Sequence, residues 1–163
     1  MRVVSDSTPL IYLAKIGKLH FLKELFAEVL IPEEVHNEVV VVGKEKGYLD
    51  ASIIEELIKD GLIIVKSTDI AKLKDVPIEQ GEKAALSLAL DQKIEDILID
   101  EARIRRLARV LGLRPRGTLW TLSKLYEEGH LSKRNLKESV FELIQKGYRI
   151  REDVLVELLR EIE

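Results

Sequence analysis

The chain of 163 residues contains no cysteine, so it forms no disulfide and offers no thiolate to a metal ion. No apolar run approaches the ~20 residues that a membrane-spanning helix requires. The N-terminus also lacks the order of charged, apolar and small residues that is typical of a secretory signal. These absences predict a soluble protein without a membrane partner, and the cytoplasm is the expected compartment.

An excess of basic charge is also absent, because the formal net charge is −3 although 34% of the residues are charged. This excludes a uniformly basic surface for nucleic acid but leaves room for a local one. Six arginines fall within one short span: Arg103, Arg105, Arg106, Arg109, Arg114 and Arg116. On charge alone, this span fits a solvated helix face as well as a phosphate-binding patch.

Short apolar segments alternate with longer segments of helical periodicity, as expected for one globular domain of this length. The predicted strands are residues 2–6, 28–31, 62–67, 96–100 and an irregular fifth at 113–117. Pro115 restricts the fifth strand to an edge or a strand end. The run Val39–Val42 is ambiguous, since β-branched residues also favour strands.

The segments between and after the strands are predicted to be helical. Their ranges are 7–17, 18–26, 32 to about 42, 50–60, 79–92, 104–111, 118–128, 132–146 and 150–162. Strands separated by helices predict a three-layer α/β/α fold with a central parallel sheet of four to five strands. We assign residues 1–128 to the main body and residues 129–163 to a C-terminal helical extension packed on the same domain.

Four acidic residues occupy positions that favour a shared site. Asp6 ends the first predicted strand and Asp100 ends the fourth, and sites in parallel sheets collect beyond the carboxyl ends of the strands. Glu38 and Glu82 share their helix rows with apolar residues at spacings of three and four. We therefore expect both glutamates to lean toward the core and all four carboxylates to meet in one crevice.

Carboxylates gathered in one crevice need partners, raised pKa values or a cation. Their mutual repulsion is relieved by a hard divalent ion such as Mg²⁺ or Mn²⁺, which prefers oxygen ligands. Such an ion activates water and stabilises charge on a phosphodiester, which gives a nuclease mechanism without catalytic histidine or cysteine. The three histidines, His20, His36 and His130, show no metal-ligand spacing among themselves.

Each of the four acids also has a purely structural alternative. Asp6 would cap the following helix, and Asp100 would cap the helix that begins at Glu101. Glu82 would support a helix N-terminus through the helix dipole, and Glu38 would pair with a lysine or an arginine. If all four alternatives held, the shared placement of these acids would be four separate coincidences.

Four segments resemble, in order and spacing, the successive signatures of the PIN-domain family. They read VVSDSTPLIYLAKIG, LIPEEVHNEVV, GEKAALSLAL and ILIDEARIRRLARVLGL. The resemblance is closest to the prokaryotic branch related to the toxin nucleases of VapBC-type toxin–antitoxin pairs. It covers about residues 1–128, and the later helices are similar to that branch's helical ending.

The resemblance implies a PIN-like nuclease domain that hydrolyses RNA as a metal-dependent endoribonuclease. Asp6, Glu38, Glu82 and Asp100 fall on the family's acidic positions and would hold one or two Mg²⁺ or Mn²⁺ ions as catalytic residues. The implied partners are an RNA substrate, an antitoxin protein and a second copy of the chain in a homodimer.

Further site residues follow from the same resemblance. Ser7 or Thr8 matches the small hydroxyl residue after the first acid, which orients that acid or a metal-bound water. Many family members carry another acid near the last core strand, whereas the sequence RPRGTLW here has none. Thr118 is the polar candidate at that position, and Glu101, the neighbour of Asp100, is the acidic one.

Two arginines of the basic span are candidates for substrate binding. Arg103 and Arg106 would hold substrate phosphates or pair with the carboxylates. Trp120 and Tyr126 lie on a helix of apolar periodicity, so they are predicted to pack in the core rather than to stack on bases. The alternative functions are a catalytically weak or inactive PIN module that binds RNA or a protein partner, and a scaffold whose acids form ordinary salt bridges.

Overall fold

A five-stranded parallel sheet forms the centre of this computed structural model, which describes residues 1–162. The strands are β1 (Arg2–Ser5), β2 (Glu28–Pro32), β3 (Ile63–Lys66), β4 (Asp96–Leu98) and β5 (Arg114–Arg116). Their order across the sheet is β3-β2-β1-β4-β5. The chain therefore fills one half of the sheet before it returns to the other side of β1, and the strand order reverses between β1 and β4.

Helices connect the strands and complete the C-terminal part of the chain. They are α1 (Ser7–Lys15), α2 (Leu22–Leu25), α3 (Glu33–His36), α4 (Gly43–Glu45), α5 (Leu49–Lys59), α6 (Gln80–Asp91), α7 (Ala102–Val110), α8 (Thr118–Glu127), α9 (Lys133–Gln145) and α10 (Glu152–Glu161). A π-helical segment, Asn37–Val42, joins α3 to α4, and 3₁₀ turns span Leu19–Phe21 and Ala71–Leu73.

The two faces of the sheet bury separate apolar clusters, because successive side chains of a strand point to opposite faces. Val3, Val29 and Ile31 join a cluster with residues of α1, α5, α8 and α9. Val4 and Leu30 join a second cluster with residues of α6 and α7. The predicted three-layer α/β/α fold with a parallel central sheet is therefore confirmed.

The reversal of strand order brings two strand ends together. The backbone N–H of Asp6 donates to the carbonyl of Leu98 at 3.0 Å, one residue past β1. On the other side of β4, the N–H of Ile99 donates to the carbonyl of Arg116 at 2.8 Å. Asp6 and Asp100 therefore leave the sheet at the same carboxyl edge, where ligand sites of such sheets lie.

Strand β5 is an edge strand of the sheet, as predicted. This strand pairs with β4 alone, with Pro115 opposite Ile97. Proline has no backbone N–H to donate and is therefore restricted to an edge or strand end. The ambiguous run Val39–Val42 is helical rather than extended, and the predicted helix 18–26 is divided into a 3₁₀ turn followed by α2.

The C-terminal helices share the core of the main body. Leu136 and Val140 of α9 and Leu158 of α10 belong to the same cluster as Leu10 and Leu13 of α1. The division of the chain at residues 128 and 129 stays a prediction. Among the helices of residues 1–162, none combines the length and the apolar character that crossing a membrane requires.

Candidate active site

Asp6 lies at the centre of the predicted acidic crevice. It occupies the N-cap position of α1, but its side chain makes no capping hydrogen bond, although only 8% of the residue is exposed. Burial is the largest cause that raises the pKa of Asp6; together with the charges of Glu82, Glu38 and Asp100, and offset in part by a backbone hydrogen bond to Ser7, it brings the pKa to about 7. The charges of the other three predicted acids therefore act on Asp6.

Asp100 is held by three hydrogen bonds from two residues. The Thr118 N–H donates to Oδ1 and the Thr118 hydroxyl to Oδ2, each at 2.7 Å. The Tyr148 hydroxyl donates to Oδ1 at 2.7 Å. Asp100 thus binds the first N–H of α8, and the alternative that it caps the helix beginning at Glu101 is wrong.

Gly117 allows the close packing around Asp100. A Cβ atom on this glycine would lie 3.0 Å from Oδ1 of Asp100 and 3.0 Å from Nη1 of Arg105. Both distances are shorter than ordinary van der Waals contact. The absence of a side chain at residue 117 therefore lets a carboxylate and a guanidinium approach the same backbone position.

Glu38 is exposed, so the expectation that it leans into the core is wrong. The cause is the π-helical segment, whose wider turn changes which residues face inward; Val39 and Val40 are buried there instead. The Ser7 hydroxyl nevertheless donates to Glu38 Oε2 at 2.8 Å, and the same oxygen would be 3.3 Å from a Cβ on Gly81. Within residues 1–162, Glu38 forms no ion pair with a lysine or an arginine.

Glu82 is buried, as predicted from its apolar row, with 8% of the residue exposed. Its Oε1 accepts the backbone N–H of Glu79 at 3.0 Å, so it also supports the start of α6, as the structural alternative expected. Burial is the largest cause that raises the pKa of Glu82, and the nearby Glu101 carboxyl raises it further. Glu101 therefore faces Glu82, which adds a fifth acid to the edge of the crevice.

The donor chemistry of this crevice fits a hard divalent cation, because every candidate ligand is a carboxylate. Burial raises the pKa of Asp6 most, and the negative charges of the other three acids add to this effect. As the side chains stand, however, residues 1–162 contain no group of three His, Cys, Asp or Glu side chains arranged to hold an ion. The carboxylates therefore supply the negative charge that a cation requires. However, carboxylate oxygens of Glu38, Glu82 and Asp100 already accept hydrogen bonds from the protein.

Within residues 1–162, Thr8, Arg103 and Arg106 form no hydrogen bond or ion pair with the four predicted acids. Thr8 is half-buried, and its hydroxyl makes no hydrogen bond within the described chain. Arg103 is exposed and pairs with Glu101 at 3.7 Å, and Arg106 is also exposed. Neither arginine is paired with Asp100 in the described part of the structure.

Sequence reasoning missed two residues close to Asp100. Tyr148 comes from the connection between α9 and α10, and no local pattern relates it to a residue 48 positions earlier. Arg105 is half-buried beside Asp100, whereas Arg103 and Arg106 on the same helix are exposed. No local pattern distinguishes Arg105 from Arg103 and Arg106, because the packing of α7 decides which arginine faces Asp100.

A parallel α/β/α fold with carboxylates at the reversal of strand order belongs to the class that binds ligands beyond the carboxyl ends of its strands. A family model described as a PIN domain matches residues 2–163. The chain therefore belongs to the PIN-domain family, whose members are generally nucleases and typically use divalent metal ions. Among curated proteins, no significant match to the chain was found.

Proposed function

We propose that the protein is a metal-dependent endoribonuclease that hydrolyses RNA phosphodiesters. The observation that carries this proposal is Asp6, a buried carboxyl without a capping hydrogen bond whose pKa is raised to about 7. Burying a carboxylate beside three other acids disfavours the folded state. Such a cost is explained if the crevice exists to bind a cation, and the family's usual activity supports this reading.

In the proposed site, the chain contributes the ligands and fixes their orientation. Asp6, Glu38, Glu82 and Asp100 would hold one or two Mg²⁺ or Mn²⁺ ions. A bound ion supplies activation of water and stabilisation of charge on the phosphodiester. The Ser7 hydroxyl orients Glu38, and Thr118 and Tyr148 orient Asp100.

Metal binding and cleavage test the proposal together. We would measure Mn²⁺ binding by calorimetry and cleavage of a mixed single-stranded RNA, using wild type, Asp6→Asn and Asp100→Asn. Asparagine at residue 100 keeps an oxygen that accepts the Thr118 N–H, so the fold is retained while one negative charge is lost. Asp60→Asn is the matched control, because Asp60 is exposed at the end of α5.

We expect wild type and Asp60→Asn to bind Mn²⁺ and cleave RNA, and both site variants to lose cleavage by about 100-fold or more, within the range of removed catalytic groups. Cleavage that persists in EDTA, or that survives both site substitutions, would contradict the proposal.

A catalytically weak or inactive PIN module that binds RNA or a protein partner is the second candidate. It is favoured by the arrangement of the acids, since no three of them in residues 1–162 are placed to hold an ion as they stand. The same assay separates the two candidates. RNA binding that is unchanged in Asp6→Asn and Asp100→Asn, without cleavage at any Mn²⁺ concentration, would establish the binding module.

A homodimer and an antitoxin partner complete the proposal. Phe141 and Ile144 of α9 and Val156 of α10 are exposed, which provides apolar surface for a contact between copies. Light scattering at increasing protein concentration, compared with Phe141→Ser, tests the dimer. Co-purification with the product of a small adjacent open reading frame tests the antitoxin.

A further inference from the structure

A cavity of about 490 Å³ lies directly beside Asp100. Its walls come from the start of α7, the first turn of α8 and the segment 148–154, so the C-terminal helices help to form it. The charged and aromatic residues that line the cavity are three arginines, two aromatic residues and one acid: Arg105, Arg149, Arg151, Trp120, Tyr148 and Asp100. This volume falls within the roughly 300–1,000 Å³ of pockets that bind small ligands.

The charge of this cavity favours an anion. Within residues 1–162, Arg105 and Arg149 form no ion pair and no side-chain hydrogen bond, whereas Arg151 is paired with Asp153 at 3.2 Å. Arg105 is half-buried beside Asp100 but makes no direct ion pair with it, so its guanidinium has lost part of its hydration without a direct carboxylate contact. Both guanidiniums line one cavity, and a guanidinium with free donors is a group that binds phosphate oxygens.

Another part of the lining is aromatic and aliphatic. The guanidinium of Arg116 lies 5.0 Å from the centre of the Trp120 ring, a cation–π contact that fixes the indole. Leu119 and Ile150 complete this wall. An aromatic and aliphatic surface next to a phosphate-binding group is the combination that receives a nucleobase.

The position of the cavity next to the acidic crevice indicates which anion it binds. Asp100 lines the cavity and leaves the sheet at the same carboxyl edge as Asp6, whose backbone N–H donates to the carbonyl of Leu98 at 3.0 Å. A phosphodiester that reaches the crevice would therefore place its neighbouring nucleotide in the cavity. The volume suits one nucleotide rather than several, and the guanidiniums balance the repulsion between a phosphate and Asp100.

We propose that this cavity is a single-nucleotide subsite for the RNA substrate. Arg105 and Arg149 bind the phosphate of the nucleotide adjacent to the cleaved bond, and Trp120 with Ile150 contacts its base. The proposal rests on the proposed nuclease function, because it assigns a substrate contact to the same site. It also gives the C-terminal helices a direct part in substrate binding.

The single tryptophan of the chain makes the test direct, because Trp120 fluorescence reports on occupancy of the cavity. We would titrate the full-length protein, in EDTA, with an unlabelled single-stranded RNA trinucleotide that carries a terminal phosphate. Measurements in EDTA separate binding from cleavage. The variants are Arg105→Ala, Arg149→Ala and Arg105→Lys, and the matched control is Arg109→Ala, an exposed arginine one turn further along α7.

We expect the RNA to quench Trp120 in wild type and in Arg109→Ala. Arg105→Ala and Arg149→Ala should each raise the Kd for RNA by about tenfold or more, which is the usual loss for a charge-assisted hydrogen bond. Arg105→Lys should recover part of the affinity, since it restores the charge without the fork of donors. Arg149 is exposed, so its variant retains the fold and keeps the test valid if Arg105→Ala unfolds.

Equal weakening by Arg109→Ala would show general charge attraction and overturn the subsite. Quenching by a glutamate-rich peptide but not by RNA would overturn it in favour of a protein partner. Unchanged RNA affinity in both alanine variants, with Mn²⁺-dependent cleavage intact, would remove the subsite and leave the nuclease proposal standing. The reverse result, specific binding without any cleavage, would remove the nuclease proposal and leave a nucleotide-binding site.

Discussion

Asp6 and Asp100 follow neighbouring parallel strands and leave the sheet at one edge, yet their surroundings are opposite. Asp6 is 8% exposed, makes no capping hydrogen bond and is surrounded by like charges. Asp100 accepts three hydrogen bonds, two of them from Thr118. Sheet topology thus places both carboxylates, whereas their neighbours decide that one disfavours the folded state and the other stabilises it.

The largest expected effect concerns the unfavourable charge of Asp6. Asp6→Asn should raise the free energy of unfolding at about pH 8 in EDTA, because it removes a buried carboxylate. A pKa raised from 3.8 to about 7 corresponds to as much as about 4 kcal/mol when the group is ionised. Urea denaturation of wild type and variant at several pH values measures this difference.

The pH dependence gives the sign of the Asp6 effect. Between pH 3.8 and about 7 the folded protein holds a proton on Asp6 that the unfolded chain releases. The stability of wild type therefore falls as pH rises through this window, and the advantage of Asp6→Asn grows from near zero to its maximum. Asp60→Asn should show no such growth; a constant difference at every pH would rule out the charge of Asp6 as the cause.

The second effect has the opposite sign and concerns the hydrogen bonds to Asp100. Asp100→Ala should lower the free energy of unfolding by about 2–3 kcal/mol, because the buried Thr118 N–H and hydroxyl lose their acceptor. Asp100→Asn keeps an acceptor and should lose clearly less. If Asp100→Ala were as stable as wild type, the contrast between the two aspartates would fail.

A smaller effect is expected for the contact between the C-terminal segment and the sheet edge. Tyr148→Phe removes the hydroxyl that donates to Asp100 at 2.7 Å and should lower stability by about 1 kcal/mol. Hydrogen exchange of the backbone around residues 147–152 should become faster, since this segment loses its bond to the main body. Tyr126→Phe, whose ring packs against the core from α8, is the control.

The smallest effect concerns the edge of the crevice. Ser7→Ala removes the hydroxyl that donates to Glu38 at 2.8 Å. Because Glu38 is exposed, water replaces the lost donor, and we expect a change of only about 0.5 kcal/mol. A loss larger than that of Tyr148→Phe in thermal denaturation would show that Glu38 is more tightly held than its exposure indicates.

The sequence predicted those parts of the site that depend on strand order. Asp6 and Asp100 lie at the predicted strand ends, because a strand end is a local signal and the parallel topology follows from the alternation of strands and helices. The burial of Glu82 followed from regular helical spacing. These predictions required only periodicity and the handedness common to such folds.

The remaining parts depend on features that local patterns do not contain. Glu38 was predicted to be buried because its spacing from apolar residues was counted with 3.6 residues per turn. Asn37–Val42 instead forms a π helix, which has more residues per turn. Tyr148 reaches Asp100 only because α9 and α10 pack against the main body. Arg105 differs from Arg103 and Arg106 only by its direction on α7, which the packing of that helix decides.

The π-helical segment makes the position of Glu38 depend on the number of valines that follow it. A π turn holds one residue more than an α turn, so deletion of one residue from the run of four valines would return the segment to regular helical spacing and bring Glu38 back into the apolar row. Val41 is 41% exposed, and its removal would cost little apolar contact. The length of this run, more than its composition, thus sets the aim of one acid at the crevice.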